Sequence, residues 1–117
     1  TQSGDTAIFH ASIEKGWHMY AVNLPDPFGG PLPTEFVFDE SSSIALVDSI
    51  IESKGHTEMD DAFGINVTYF ETEATFKQRI LDLSKGSHPS VSGVVYYMVC
   101  NDEMCIPLER TFSFQLK

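Results

Sequence analysis

Residues 91–116 read VSGVVYYMVCNDEMCIPLERTFSFQL and combine two β-strand patterns with a polar segment between them. The first part, VSGVVYYMV, is an apolar run rich in β-branched and aromatic residues, which is typical of a buried strand. The last part, RTFSFQL, alternates apolar with polar residues, as a strand with one buried face does. The two cysteines of the chain, Cys100 and Cys105, flank the segment NDEM. The stretch therefore predicts two strands, with a cysteine on either side of their connection.

The same period-2 alternation recurs in the earlier part of the chain. It is found in TAIFHASI (6–13), TEFVF (34–38), INVTYF (65–70) and EATFKQRILDL (73–83). Clusters of turn-forming residues separate these segments at 25–31, 39–43 and 85–90. Residues 41–53, SSSIALVDSIIES, fit either a helix or a strand, and their β-branched content favours a strand. Short strands without βαβ alternation predict an all-β fold, an antiparallel β-sandwich of immunoglobulin type.

The length and charge of the chain narrow the classes of function. A chain of 117 residues has the commonest size of one domain, so we expect a single domain over residues 1–117. It carries 7 Lys and Arg against 17 Asp and Glu, a net charge of −10. Nucleic acid is therefore excluded as a partner, since a binder must neutralise phosphates with a basic face. The sequence contains no run of 18 or more apolar residues, so it does not predict a membrane-spanning helix.

The spacing of the cysteines leaves two interpretations open. Residues 101–103 suit a chain reversal, which can bring the Cα atoms to the roughly 4.4–6.8 Å that a disulfide needs. A bridge closing so short a loop removes little chain entropy, less than the roughly 3 kcal/mol of a 15-residue loop, and this weakens a purely structural role. The neighbouring Asp102 and Glu103 disfavour a thiolate, and this weakens a redox role. The residues alone support a structural bridge and a redox-active pair about equally.

The sequence does not indicate a metal site or a cofactor. Zinc takes about four ligands, usually with a second Cys or His pair at close spacing. The histidines stand singly, at His10, His18, His56 and His88. Each is interpreted as a surface or packing residue, and no metal is expected.

Residues 93–116, GVVYYMVCNDEMCIPLERTFSFQL, resemble the end of the N-terminal periplasmic domain of the bacterial thiol:disulfide interchange protein DsbD. Further similar segments are KGWHMYAVN (15–23), GGPLPTEFVF (29–38), DDAFG (60–64) and VTYFETEATFKQRI (67–80). The resemblance covers nearly the whole chain and implies one immunoglobulin-like redox domain. In the best-known members the cysteines are one residue further apart, and two prolines follow the second cysteine, where this chain has Ile106-Pro107-Leu108.

This resemblance implies that the chain is a protein-disulfide reductase domain that works in the periplasm without a dissociable cofactor. The parent protein would lie in the inner membrane, and its C-terminal thioredoxin-like domain would supply reducing equivalents. Periplasmic thiol–disulfide proteins, including those of cytochrome c biogenesis, would receive them from a monomeric domain. By the same resemblance Cys100 and Cys105 are the exchanging pair, Cys105 forms the mixed disulfides, and Cys100 resolves them.

The family shields its cysteines with a cap loop that carries an aromatic residue. MDDAFGINVTYF (59–70) matches this loop, so Phe63 is the candidate shield, or else an anchor of the loop to the core. The acidic residue Asp61 belongs to the same cap, as does Asp60. Trp17 and Tyr20 fall in the segment that matches the family's aromatic residues beside the site, although core packing explains them as well.

Two other classes of function remain open at this stage. An immunoglobulin-like sandwich with a structural disulfide could serve as a module that binds a protein or another ligand. Two thiolates together with Met98 or Met104 could carry Cu(I), because soft sulfur ligands suit this ion. Both methionines are more simply interpreted as packing residues.

Overall fold

The strands of the protein follow the alternating segments of the sequence. The structure is a computed structural model that describes residues 4–25, 31–61, 63–84 and 89–116. The described residues form nine strands: β1 Gly4–Ser12, β2 His18–Tyr20, β3 Glu35–Phe38, β4 Ile44–Glu52, β5 His56–Asp60, β6 Ile65–Phe70, β7 Glu73–Asp82, β8 Ser90–Cys100 and β9 Cys105–Gln115. The strand prediction for the ambiguous segment 41–53 is confirmed by β4. Parts of the predicted turns at 25–31 and 85–90 lie outside the described residues.

The strands form two antiparallel sheets. The smaller sheet has the order β1-β7-β4. The larger sheet has the order β3-β8-β2-β6-β5, and β9 pairs with β8 as well. Every pairing is antiparallel, so the predicted antiparallel sandwich of immunoglobulin type is confirmed. Within the described ranges no helix has the length and apolar character needed to cross a bilayer.

Strand β7 shows how the sequence pattern produces the core. Its alternate residues are buried: Ala74, Phe76, Gln78 and Ile80. The ring of Phe76 lies 5.2 Å from that of Phe36 and 5.8 Å from that of Phe70, both in the larger sheet. Burying such a side chain contributes about 1.5–3 kcal/mol, and these contacts hold the two sheets together.

The buried polar residue Gln78 marks an irregularity in the smaller sheet. The register of β4 against β7 shifts between Val47 and Ile51, and Asp48 has a φ of 61°. At this shift the side-chain amide of Gln78 donates to the carbonyls of Val47 and Asp48, at 3.1 and 3.2 Å. A buried polar side chain is tolerated here because it is hydrogen-bonded.

Strands β8 and β9 form the long hairpin that carries the cysteines. Their register runs without interruption from Ser90 opposite Gln115 to Cys100 opposite Cys105. Cys100 therefore ends one strand and Cys105 begins the next, as the sequence predicts. Strand β9 starts five residues earlier than the alternating segment RTFSFQL, so the pair belongs to the sheet itself.

Candidate functional site

The cysteine pair forms a disulfide at the closed end of the β8–β9 hairpin. The two Sγ atoms are 2.07 Å apart and the two Cα atoms 4.0 Å apart, slightly closer than the range expected from the sequence. The backbone N–H of Asn101 donates to the carbonyl of Met104, so the cysteines occupy the next, non-hydrogen-bonded position. Opposite Cα atoms approach most closely at such positions, which allows a disulfide between neighbouring strands.

The four residues between the cysteines form a turn that their own hydrogen bonds stabilise. The Oδ1 of Asn101 accepts the backbone N–H groups of Glu103 and Met104, both at 2.8 Å. These bonds and the strand pairing are made by groups other than the sulfurs, so we expect them to hold the hairpin when the pair is reduced. Met104 is 52% exposed, and its interpretation as a packing residue was therefore wrong, whereas Met98 is buried.

The two sulfurs lie in different environments. Cys100 is 2% exposed and belongs to a buried cluster with Tyr20, Val67 and Met98. Cys105 is exposed and opens β9, whose described pairing is with β8 alone. The fold therefore covers Cys100 and leaves Cys105 open to solvent.

A group of aromatic side chains covers the face of the sheet on which Cys100 lies. Tyr20 is 1% exposed, and its hydroxyl is 3.1 Å from Nε2 of His18. The rings of His18 and Tyr69 are 5.1 Å apart. His18 pairs directly with Cys100 in the register of β2 and β8. The structure thus brings Tyr20 to Cys100 and adds His18, which stands apart from the other histidines in the sequence.

Two phenol groups of this face are held in the protonated state. Burial, and to a smaller extent the carboxylate of Asp60, raises the pKa of Tyr20 to about 12. The hydroxyl of Tyr69 donates to the carboxylate of Glu58, and this bond, more than burial, raises the pKa of Tyr69 to about 12. Both hydroxyl groups therefore remain neutral hydrogen-bond donors at neutral pH.

Trp17 does not belong to the aromatic group around Cys100. It lines an open cleft of about 800 Å³ between the two sheets, together with Val99 and Ile106, the strand neighbours of the cysteines. Because successive residues of a strand point to opposite faces, Val99 and Ile106 face the cleft while Cys100 and Cys105 face the other way. The structure therefore separates Trp17 from Tyr20, and the predicted role of Trp17 beside the exchanging pair stays a prediction.

The predicted cap is the turn that joins β5 to β6. Within it, the backbone N–H groups of Phe63 and Gly64 donate to the side chain and the carbonyl of Asp60, at 3.3 and 2.7 Å. Phe63 is half-buried and Asp61 is exposed. Ile65, which follows the turn, packs against the cluster that contains Cys100. This packing connects the hairpin of β5 and β6 to the cluster around Cys100. The shielding roles of Phe63 and Asp61 stay predictions.

An immunoglobulin-like sandwich with a disulfide between adjacent strands, one sulfur exposed and one covered, defines a class of β-sandwich proteins suited to thiol–disulfide exchange. The family described as "Thiol:disulfide interchange protein DsbD, N-terminal" matches residues 1–117, and the chain belongs to this family. Membership, together with a cysteine pair at disulfide distance, supports thiol–disulfide exchange in general.

The comparison with solved structures supports the same fold. The chain is similar to the DsbD N-terminal domain of Neisseria meningitidis, solved in the reduced form, with a TM-score of 0.63 and 18% sequence identity. The similarity covers 94% of this chain and 81% of that one. None of the curated proteins matches the chain.

Proposed function

We propose that residues 1–117 act as a single redox domain that receives reducing equivalents from a thioredoxin-like partner and passes them to disulfides of other proteins. The observation that carries this proposal is the unequal exposure of the two cysteines, with Cys100 2% exposed and Cys105 open to solvent. A disulfide of this kind gives an incoming thiolate one sulfur to attack and keeps the other as the leaving group.

In the forward reaction the reduced domain attacks a partner's disulfide. The thiolate of Cys105 bonds to one partner sulfur, and the partner's other sulfur leaves as a thiolate and takes up a proton. Cys100 then attacks the sulfur of Cys105, which closes the disulfide and releases the partner's second sulfur. Two electrons pass to the partner, which leaves as a dithiol.

Recharging the domain uses the same sulfur in the opposite direction. A thiolate of the thioredoxin-like donor attacks Cys105, and Cys100 leaves with the electron pair of the broken bond. The donor's second thiol then attacks the mixed disulfide, and the donor departs oxidised while the domain holds two thiols. Because both reactions pass through Cys105, donor and acceptor use the same exposed site in turn.

The family relationship supports a location and partners for these reactions. We place the domain in the periplasm, as part of an inner-membrane protein whose C-terminal thioredoxin-like domain is the donor. Periplasmic thiol–disulfide proteins, including those of cytochrome c biogenesis, are the acceptors. The domain itself acts as a monomer, without metal or dissociable cofactor.

The proposal predicts a trapped intermediate when the resolving sulfur is removed. We expect Cys100→Ala to accumulate a mixed disulfide on Cys105 when it is mixed with an oxidised thioredoxin-like protein, because no second sulfur can complete the exchange. Non-reducing gel electrophoresis and mass spectrometry of the linked peptides would measure the amount and position of this complex.

The matched control is Cys105→Ala, which should trap at least about tenfold less complex because its remaining sulfur is covered. The redox potential of the wild-type pair, measured with glutathione, completes the test. A potential far below about −300 mV, together with no trapped complex, would instead indicate a structural disulfide in a binding module.

A second prediction concerns the cap. We propose that Phe63 limits the access of small thiols to the pair, and we expect Phe63→Ala to speed reduction by dithiothreitol by about threefold to tenfold. Stopped-flow measurement of the reduction rate would test this. Leu46→Ala offers a comparison outside the cap, since Leu46 is 47% exposed on β4 of the smaller sheet and its truncation should leave the rate unchanged. Equal rates for Phe63→Ala and the wild type would remove Phe63 from the site.

A further inference from the structure

His18 occupies the position directly opposite Cys100 in the sheet. It starts β2, and its Cα is paired with that of Cys100. Residues paired in this way have Cβ atoms about 4.5–5.5 Å apart and side chains on the same face, so the imidazole has the reach to contact the sulfur. It is also tied to the buried phenol of Tyr20, at 3.1 Å from Nε2. The ring lies against Tyr20 and Tyr69, on the face of the sheet that carries Cys100.

The electrostatic surroundings of His18 come from four strands. Tyr20 lies on the same strand as His18, Cys100 on β8 and Tyr69 on β6. Met19 pairs with Phe70 of β6, so continuing this register by one residue places Glu71 opposite His18. Strand β5 contributes three further groups around these. The carboxylate of Glu58 accepts the hydroxyl of Tyr69, and Nε2 of His56 lies 3.6 Å from Oε1 of Glu71. The carboxylate of Asp60 helps to raise the pKa of Tyr20.

We propose that His18 is the proton donor and acceptor for the sulfur of Cys100 during each cycle. This inference rests on the proposed function, in which Cys100 is the leaving and resolving sulfur. It assigns to His18 a role that neither its isolated place in the sequence nor the spacing of the cysteines indicates.

The proton balances the charge that appears on Cys100. When a donor thiolate attacks Cys105, the electron pair of the S–S bond moves onto Cys100, and the imidazolium of His18 gives this thiolate a proton. In the forward reaction neutral His18 takes the proton back from the thiol, and the thiolate of Cys100 attacks Cys105. The proton that His18 gives in the first reaction is taken back in the second, so a full cycle leaves His18 unchanged.

The burial of Cys100 is the reason that such a partner is needed. A thiolate formed among Tyr20, Val67 and Met98 loses the hydration that stabilises a charge in water. The phenols of the site donate hydrogen bonds but remain neutral at neutral pH, and its carboxylates repel a thiolate. Histidine is the side chain whose charge ordinarily changes between about pH 5 and pH 8, so it can serve both as proton donor and as acceptor.

The test compares the wild type with His18→Phe, which keeps a ring but cannot carry a proton. We would measure the rate of disulfide reduction by dithiothreitol from about pH 5.5 to about pH 8.5 and divide it by the thiolate fraction of the reagent. The corrected wild-type rate should rise as the pH falls, whereas that of His18→Phe should stay flat and be about tenfold lower at the acidic end. His10→Phe, a matched change at an exposed histidine of β1, should follow the wild-type profile.

A second readout addresses the sulfur directly and does not require turnover. In Cys105→Ala the remaining thiol is Cys100, and its thiolate can be followed by ultraviolet absorbance. Adding His18→Phe should raise the pH midpoint of thiolate formation by about one unit, while His18→Gln, which retains a hydrogen-bonding group, should not restore the lower midpoint.

The outcomes separate this inference from the proposed function. If Cys100→Ala traps a partner but the pH profiles and thiolate midpoints are the same with and without His18, the role of His18 is overturned and the exchange function stands. If no complex is trapped, the exchange function itself fails. A pH-dependent rate that disappears in His18→Phe, together with the shifted midpoint, supports the assignment.

Discussion

Alkylation of the fully reduced domain with iodoacetamide is expected to modify Cys105 on the order of 100 times faster than Cys100. The reagent reacts with thiolates that it can reach, and Cys105 is exposed whereas Cys100 is 2% exposed. Cys100 would react mainly when the hairpin opens, which is a rare event for a paired strand in a sheet. Quenching at increasing times and quantifying each modified peptide by mass spectrometry would give both rates.

This prediction requires the hairpin to stay folded without its disulfide. The turn provides for this, because Asn101 holds the backbone of Glu103 and Met104 at 2.8 Å and the strands are paired up to the cysteines. The control is the same reaction in guanidinium chloride, where both thiols should react at similar rates. Comparable rates in the native protein, or faster modification of Cys100, would contradict the assigned roles of the two sulfurs.

The fold could be predicted from the sequence because its strands follow local periodicity. In β7 the buried residues Phe76 and Gln78 alternate with the exposed Lys77 and Arg79, as the pattern requires. The pattern could not show the register shift in β4, because the shift depends on pairing with β7 and on the amide of Gln78.

Part of the site could also be predicted from the sequence, because the period of two residues in a strand determines which side chains lie on the face of Cys100. In the extended chain at β2, Trp17 and Tyr20 are an odd number of residues apart and lie on opposite faces. His18 and Tyr20 are two residues apart and share the face of Cys100. Similarity to family segments grouped Trp17 with Tyr20, whereas the strand period would have grouped His18 with Tyr20.

The unequal exposure of the cysteines could not be read from the strand pattern. Residues that are directly opposite each other in an antiparallel pair share a face, so the strand pattern predicts the same exposure for Cys100 and Cys105. The difference comes from their places in the sheet. Cys100 lies between β9 and β2, where Tyr20 and Val67 cover it, and Cys105 lies on the outer strand. This order of strands is set by pairings that are distant in the sequence.

The largest loss of stability is expected at Gly93, where β8 passes between β3 and β9. A Cβ atom there would lie 2.3 Å from the carbonyl oxygen of Val37, 2.7 Å from Cζ of Phe112 and 3.0 Å from Cα of Phe38. Two of these atoms are backbone of β3, so relief would require the ladder between β3 and β8 to open. We expect Gly93→Ala to lower the free energy of unfolding by about 3 kcal/mol, a large part of the roughly 5–15 kcal/mol typical of a domain.

Urea denaturation followed by the fluorescence of Trp17 would measure this loss. Gly16→Ala is the matched control, since a Cβ at Gly16 meets no atom within 4 Å, and its φ of 91° costs an alanine only about 1 kcal/mol. Equal losses of free energy of unfolding in the two variants would show that Gly93 is not required for the close approach of β3 to β8. A much larger loss for Gly93→Ala would tie the site to this packing, because β8 carries Cys100 at its end and its pairing with β3 and β9 fixes where that end lies.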